Sequence, residues 1–151
     1  MLILECPDDL HAWVGKEIAV TDWLQITQER IQQFAESTAD KQWIHTDRER
    51  ASRESPFGVT IAHGFLTLSL LSYFLRQAIE IRGVRLAINY GLNRVRFPAP
   101  VRSGSKIRAR FTLQAFKKLA DATEIVFAVS IENQSGTKPC CLAEWIVRFY
   151  S

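Results

Sequence analysis

Ile61-Ala62-His63-Gly64-Phe65-Leu66-Thr67-Leu68-Ser69-Leu70-Leu71-Ser72-Tyr73-Phe74-Leu75 contains no Asp, Glu, Lys or Arg. Fifteen residues fall short of the ~20 that a membrane span requires. The polar His63, Thr67, Ser69 and Ser72 within it also argue against lipid. It reads as a buried helix, apolar nearly all round because other elements cover it on most sides. The pattern carries it from about His63 to Ile81, with Gly83 as the closing residue.

Working outward, the period changes from 3.6 to 2 beyond the helix. Ile107, Ala109, Phe111 and Leu113 alternate with Lys106, Arg108, Arg110 and Thr112, a half-buried strand. Glu124 to Ile131 and Leu142 to Tyr150 read as two more strands, and Ile18 to Leu24 as an early one. Ala87 to Phe97 is a strand interrupted near Gly91 and ended by Pro98 and Pro100. Upstream, Thr27 caps a helix whose Ile31, Phe34, Ala35 and Thr38 recur at helical spacing, ending near Ala39. Thr46 and Glu49 form a capping-box pattern for a short helix over residues 47–51, and Ser55-Pro56-Phe57-Gly58 is a loop. One long buried helix with four or five antiparallel strands is an α+β layout, in one domain over residues 1–151, with the sheet curled around the helix.

The 151 residues are 47% hydrophobic and 23% charged, a globular composition that excludes disorder and collagen. Cys6, Cys140 and Cys141 make an odd count with two neighbours, not a disulfide framework. A reducing, cytoplasmic setting is therefore expected. The acidic start with Glu5, Asp8 and Asp9 lacks the basic region of a signal peptide. Residues 1–80 hold seven basic and twelve acidic side chains, whereas residues 81–118 hold ten basic and no acidic ones. Two readings stand for that block: an anion-binding surface, or one solvated sheet face.

Three histidines exist, and His11 reads as a surface residue. Asp40-Lys41-Gln42-Trp43-Ile44-His45 lies between a helix end and a helix start, where loop side chains converge. A carboxylate and an imidazole around one water suit proton transfer near neutral pH, and Trp43 and Ile44 would wall them from bulk water. The same residues also serve as ordinary partners of helix-end backbone groups. His63-Gly64 opens the buried helix, where free N–H groups suit a developing oxyanion. Gly64 would let a carbonyl approach closely, and His63 takes a supporting, structural role. No metal site, P-loop, dinucleotide motif or nucleophile elbow is present, so neither metal nor cofactor is expected.

Asp40 to Asp47, Ser55 to Gly58 and Ile61 to Leu70 resemble the MaoC-like hydratases, the (R)-specific enoyl-CoA hydratases of the hot-dog fold. Leu86 to Val101 is similar to the branch with nodulation protein N-like members. The likeness runs from about Trp13 to Arg148. It implies a sheet wrapped on the central helix and a homodimer with one continuous sheet. It also implies catalysis by Asp40 and His45, with Gly64 N–H polarising a thioester carbonyl and Ser69 orienting Asp40. Gln42 and Trp43 depart from the commonest motif, Asp-x-Asn-Pro-aliphatic-His, as that branch does, and bear on the acyl pocket, and Val59 replaces a frequent glycine.

The activity implied is reversible hydration of a trans-2-enoyl-CoA to an (R)-3-hydroxyacyl-CoA. The basic block would then meet the coenzyme A phosphates, with Arg94 and Arg96 as candidate contacts. Two rivals are an acyl-CoA thioesterase and a non-catalytic acyl-CoA or acyl-carrier binding module. A nucleic-acid binder is disfavoured, because the basic block lacks the patterns that place charge on a groove.

Overall fold

A computed structural model describes all residues, Met1–Ser151. In chain order, β1 (Leu2–Leu4), a 3₁₀ segment (Pro7–Trp13), β2 (Glu17–Val20) and β3 (Leu24–Gln25) precede α1 (Gln28–Thr38). Next come α2 (Trp43–Thr46), α3 (Arg48–Glu54), α4 (Gly64–Ser69), α5 (Leu71–Ala78) and β4 (Ile79–Ile81). Four long strands complete the chain: β5 (Leu86–Arg96), β6 (Lys106–Lys118), β7 (Thr123–Asn133) and β8 (Cys141–Tyr150). The main sheet runs β2-β6-β7-β8-β5, with β3 also on β6, and every pairing in it is antiparallel. No helix is long and apolar enough to cross a membrane.

The period-2 pattern translates directly into burial. Ile107, Ala109, Phe111 and Leu113 of β6 are each 0% exposed, as are Ile125, Phe127 and Ile131 of β7. Phe111, Phe127 and Trp145 meet at centroid distances of 5.8–6.5 Å, one aromatic per strand across three adjacent strands. Leu71, Phe74 and Leu75 of α5 join them in one core cluster. The outer face is charged instead: Glu132 accepts from Arg108 at 2.7 Å and Arg110 at 2.6 Å, and Glu124 from Arg148 at 2.7 Å.

The central helix differs from expectation in two ways. It is interrupted at Leu70, where the N–H bonds Thr67 O one residue short of the α pattern. The Ser69 hydroxyl donates to Phe65 O at 2.6 Å, occupying the carbonyl of its own helical turn, a back-bond that bends helices. The helix also stops at Ala78 rather than Ile81. Ile79 and Ile81 pair in parallel with Leu2 and Leu4, and Gly83, at φ +71°, makes the turn after that strand. Further upstream, Asp47 rather than Thr46 caps α3, accepting from Arg50 N at 2.9 Å.

Phe74 is fully buried at the heart of this packing. Phe74→Ala should lower the unfolding free energy by about 3–5 kcal/mol, read from urea denaturation midpoints.

Candidate active site

Thr27 Oγ1 accepts from Arg30 N at 3.2 Å and starts α1, as its sequence context predicts. The helix ends at Ala39, which adopts φ +59°, a left-handed conformation that costs a non-glycine residue about 1–2 kcal/mol. That turn swings the chain sideways and leaves the Asp40 side chain 54% exposed at the rim. Thr46 Oγ1 then donates to Lys41 O and Gln42 O, both at 3.2 Å, and ties the Asp40–His45 loop to the single turn α2.

His45 is held from three sides. Its Nδ1 lies 2.7 Å from Ile61 O; a carbonyl only accepts, so Nδ1 carries the hydrogen and Nε2 keeps its lone pair. Its carbonyl accepts from Gln28 Nε2 at 2.7 Å, and Gln28 Oε1 accepts from the buried Thr60 hydroxyl at 2.5 Å. Ile61 N donates back to Ile44 O at 3.1 Å. The ring of His63 stacks on His45, with centroids 3.8 Å apart and planes 24° from parallel. Burial pushes the His45 pKa below its ordinary value near 6.5, and the adjacent His63 adds to this. The Ile61 carbonyl and the Asp40 carboxylate oppose the shift without reversing it.

His63 caps no helix through its side chain; it lies 2% exposed between His45 and Phe34, with Nε2 2.9 Å from Asp40 O and 3.9 Å from Asp40 Oδ2. Donor atoms of Asp40, His45 and His63 lie within 4.8 Å of one another, close enough for a cation. The only nitrogen His63 has left is Nδ1, which solvent does not reach. The accessible donors are therefore one imidazole and one carboxylate, fewer than the three protein ligands of a catalytic zinc.

Gly64 begins α4, so its N–H has no acceptor within the helix. A Cβ here would sit 3.0 Å from the Phe97 ring, so any larger residue would press that ring aside. Phe97 also lines a cavity of about 380 Å³ beside Gly64, with Phe57, Ile61, Thr67, Val101 and Cys140 among its walls.

The structure gathers Asp40, His45 and His63 beside Gly64 at the start of α4. Ser69 is exposed, bonds within its own helix and does not reach Asp40 in this chain. Trp43 lies under the Arg50 guanidinium at 4.4 Å. Arg94 and Arg96 line an open groove of about 460 Å³ with Glu17, Arg110 and Glu144, and the Gly64 cavity takes neither. The basic block is also partly neutralised, because Arg82, Arg108, Arg110 and Lys118 pair with Glu5, Glu132, Glu17 and Asp8. Gln28, Thr60, Phe34 and Phe97 escaped sequence reasoning. Nothing in their local pattern marks them, since each acts through a contact made by folding.

Fold and site together define a class: a hot-dog enzyme with a carboxylate and two imidazoles gathered where the central helix begins. A family model described as MaoC like domain matches residues 9–135. The chain is 47% identical over 150 residues, 99% of each protein, to 3-hydroxyacyl-thioester dehydratase Z of Mycobacterium tuberculosis. It is 42% identical over 140 residues to Nodulation protein N of Rhizobium leguminosarum bv. viciae, covering 91% of this chain and 87% of that one. The solved R-hydratase PhaJ1 of Pseudomonas aeruginosa superposes with a TM-score of 0.67 at 25% identity, over 89% of this chain and 79% of that one. The chain belongs to the MaoC-like dehydratase family, and its activity is that of a hydratase/dehydratase.

Gln28 is the strut between His45 and Thr60. Gln28→Leu leaves the buried Thr60 hydroxyl without its partner, so unfolding free energy should fall by about 1–3 kcal/mol in denaturant titrations.

Proposed function

We propose that this enzyme reversibly hydrates a trans-2-enoyl-CoA to an (R)-3-hydroxyacyl-CoA within one hot-dog domain. The observation that carries the reading is the orientation of His45, whose Nδ1 is committed to Ile61 O so that Nε2 keeps its lone pair, in a cluster where Asp40, His45 and His63 donor atoms lie within 4.8 Å of one another. The two groups hold one water. One takes its proton as the oxygen adds to C3 of the enoyl group, and the pair returns a proton to C2, so the elements of water are added in full. Gly64 N–H donates to the thioester oxygen as negative charge builds there. The (R) outcome is supported by the likeness to a protein named an R-hydratase, and the thioester by the relative named a thioester dehydratase. The cytoplasm as its place of work is supported by three free cysteines.

We also place a homodimer in this reading. β5 is the last strand of the sheet, paired only with β8, and Leu86, Ile88, Tyr90 and Leu92 on it are each at least 40% exposed. An edge so long and apolar invites a second copy.

Loss of the conjugated double bond on incubation with enoyl-CoAs tests the reaction. Release of free thiol would mark a thioesterase instead, and binding without turnover a carrier module. Asp40→Asn and His45→Gln should each lower kcat by roughly 10²–10⁴ while melting temperature stays within a few degrees. Activity close to wild type in either variant rules out the pair.

The pH profile follows from His45. Only its neutral form accepts a proton, and the lowered pKa keeps it neutral down to below 6.5. Thus kcat/KM should be lost only as pH falls below that value; a midpoint above it contradicts the assignment. Sedimentation should show a dimer, and Ile88→Lys on the exposed edge should yield monomer.

A further inference from the structure

His63 carries a feature that neither capping nor core packing explains. Its Nε2 faces Asp40 O at 2.9 Å, so Nε2 is the nitrogen that holds the hydrogen. Nδ1 is then bare, buried and without any donor. A phenylalanine would fill the same space between Phe34 and His45 without burying an unpartnered nitrogen. The cost of Nδ1 is offset by two contacts, and both go to the reactive pair: the hydrogen bond to Asp40 and the stack on His45.

Both partners need such support. Asp40 follows a left-handed residue on the rim, and the one other hydrogen bond made by its backbone, N–H to Thr38 Oγ1, is long at 3.5 Å. The bond from His45 Nδ1 to Ile61 O fixes one point of that ring but leaves its plane free to turn about the bond.

We propose that His63 is a positioning residue for hydration: Nε2–H anchors the main chain at Asp40, and the ring is the platform that sets the plane of His45. Carboxylate and imidazole then converge on one water. The proposal rests on the Asp40–His45 reading given above. Misplacement of reacting groups by about 1 Å is enough to cost 10²-fold in rate.

Three substitutions separate the two contacts from mere filling of space. His63→Phe keeps the ring and loses the donor. His63→Gln carries its amide nitrogen the same number of bonds from Cβ as Nε2, whereas His63→Asn places it as Nδ1 does. Phe and Asn should lower kcat by about 10²-fold with KM changed less than about 3-fold, and Gln should recover to within about 10-fold of wild type. Melting of the Phe variant should not fall below wild type. Unchanged kcat in the Phe variant overturns the anchor, and a Gln variant as fast as wild type, keeping the donor but lacking the ring, overturns the platform. Nitrogen-15 spectra of the imidazoles at neutral pH give a readout independent of turnover: His63 should show the Nε2–H tautomer, and the Nδ1–H tautomer overturns the anchor. A wild-type protein that hydrates no enoyl-CoA overturns the hydration reading itself. Active wild type with an unaffected Phe variant overturns only the role of His63.

Discussion

An almost uncharged helix has to be taken out of water, and the rest of the molecule follows from how that is done. The strands curl over α4 and α5 with apolar side chains turned inward. Phe111, Phe127, Ile107 and Ile131 are all 0% exposed, as is Phe74 on the helix itself. Each such side chain contributes about 1.5–3 kcal/mol relative to exposure. A core so filled leaves no interior place for polar chemistry. The carboxylate and imidazoles are gathered instead at the N-terminal mouth of the helix, where His63 and Gly64 meet the loop after α1.

That loop is held by main-chain carbonyls rather than by burial. Ile61 O takes the His45 ring, Asp40 O takes the His63 ring, and Lys41 O and Gln42 O take the Thr46 hydroxyl. Carbonyls are fixed by the backbone, so each bond to a ring also decides which nitrogen carries hydrogen. The same bonds leave the Asp40 side chain exposed to solvent while its main chain stays put. The proposed acid–base pair and the rigidity of its loop share one set of contacts.

Charge is divided by the sheet. The acid-free stretch from 81 to 118 looks in sequence like one cationic surface. In the fold, carboxylates from β2, β7 and the N-terminal segment reach four of its ten cations, because strands distant in sequence lie side by side. The outer face is in part an ion-pair ladder, and such partly exposed pairs contribute little each.

The sequence alone determined what local periodicity encodes. Alternation in β6 named its buried face, the uncharged run named the central helix, Thr27 named a cap, and Asp40 and His45 stood out by chemistry and resemblance. Tertiary structure decided the rest. It broke the helix at Leu70, gave Ile79 and Ile81 to a strand, moved the cap from Thr46 to Asp47, and turned the Ser69 hydroxyl onto its own helix. It also built the supports of His45 and Asp40 from bonds spanning 16, 17, 23 and 32 positions along the chain. Hydrophobic period is a property of neighbours, legible a few residues at a time. A hydrogen bond between remote residues exists only once packing has set the distance between them, and no pattern at either end announces it.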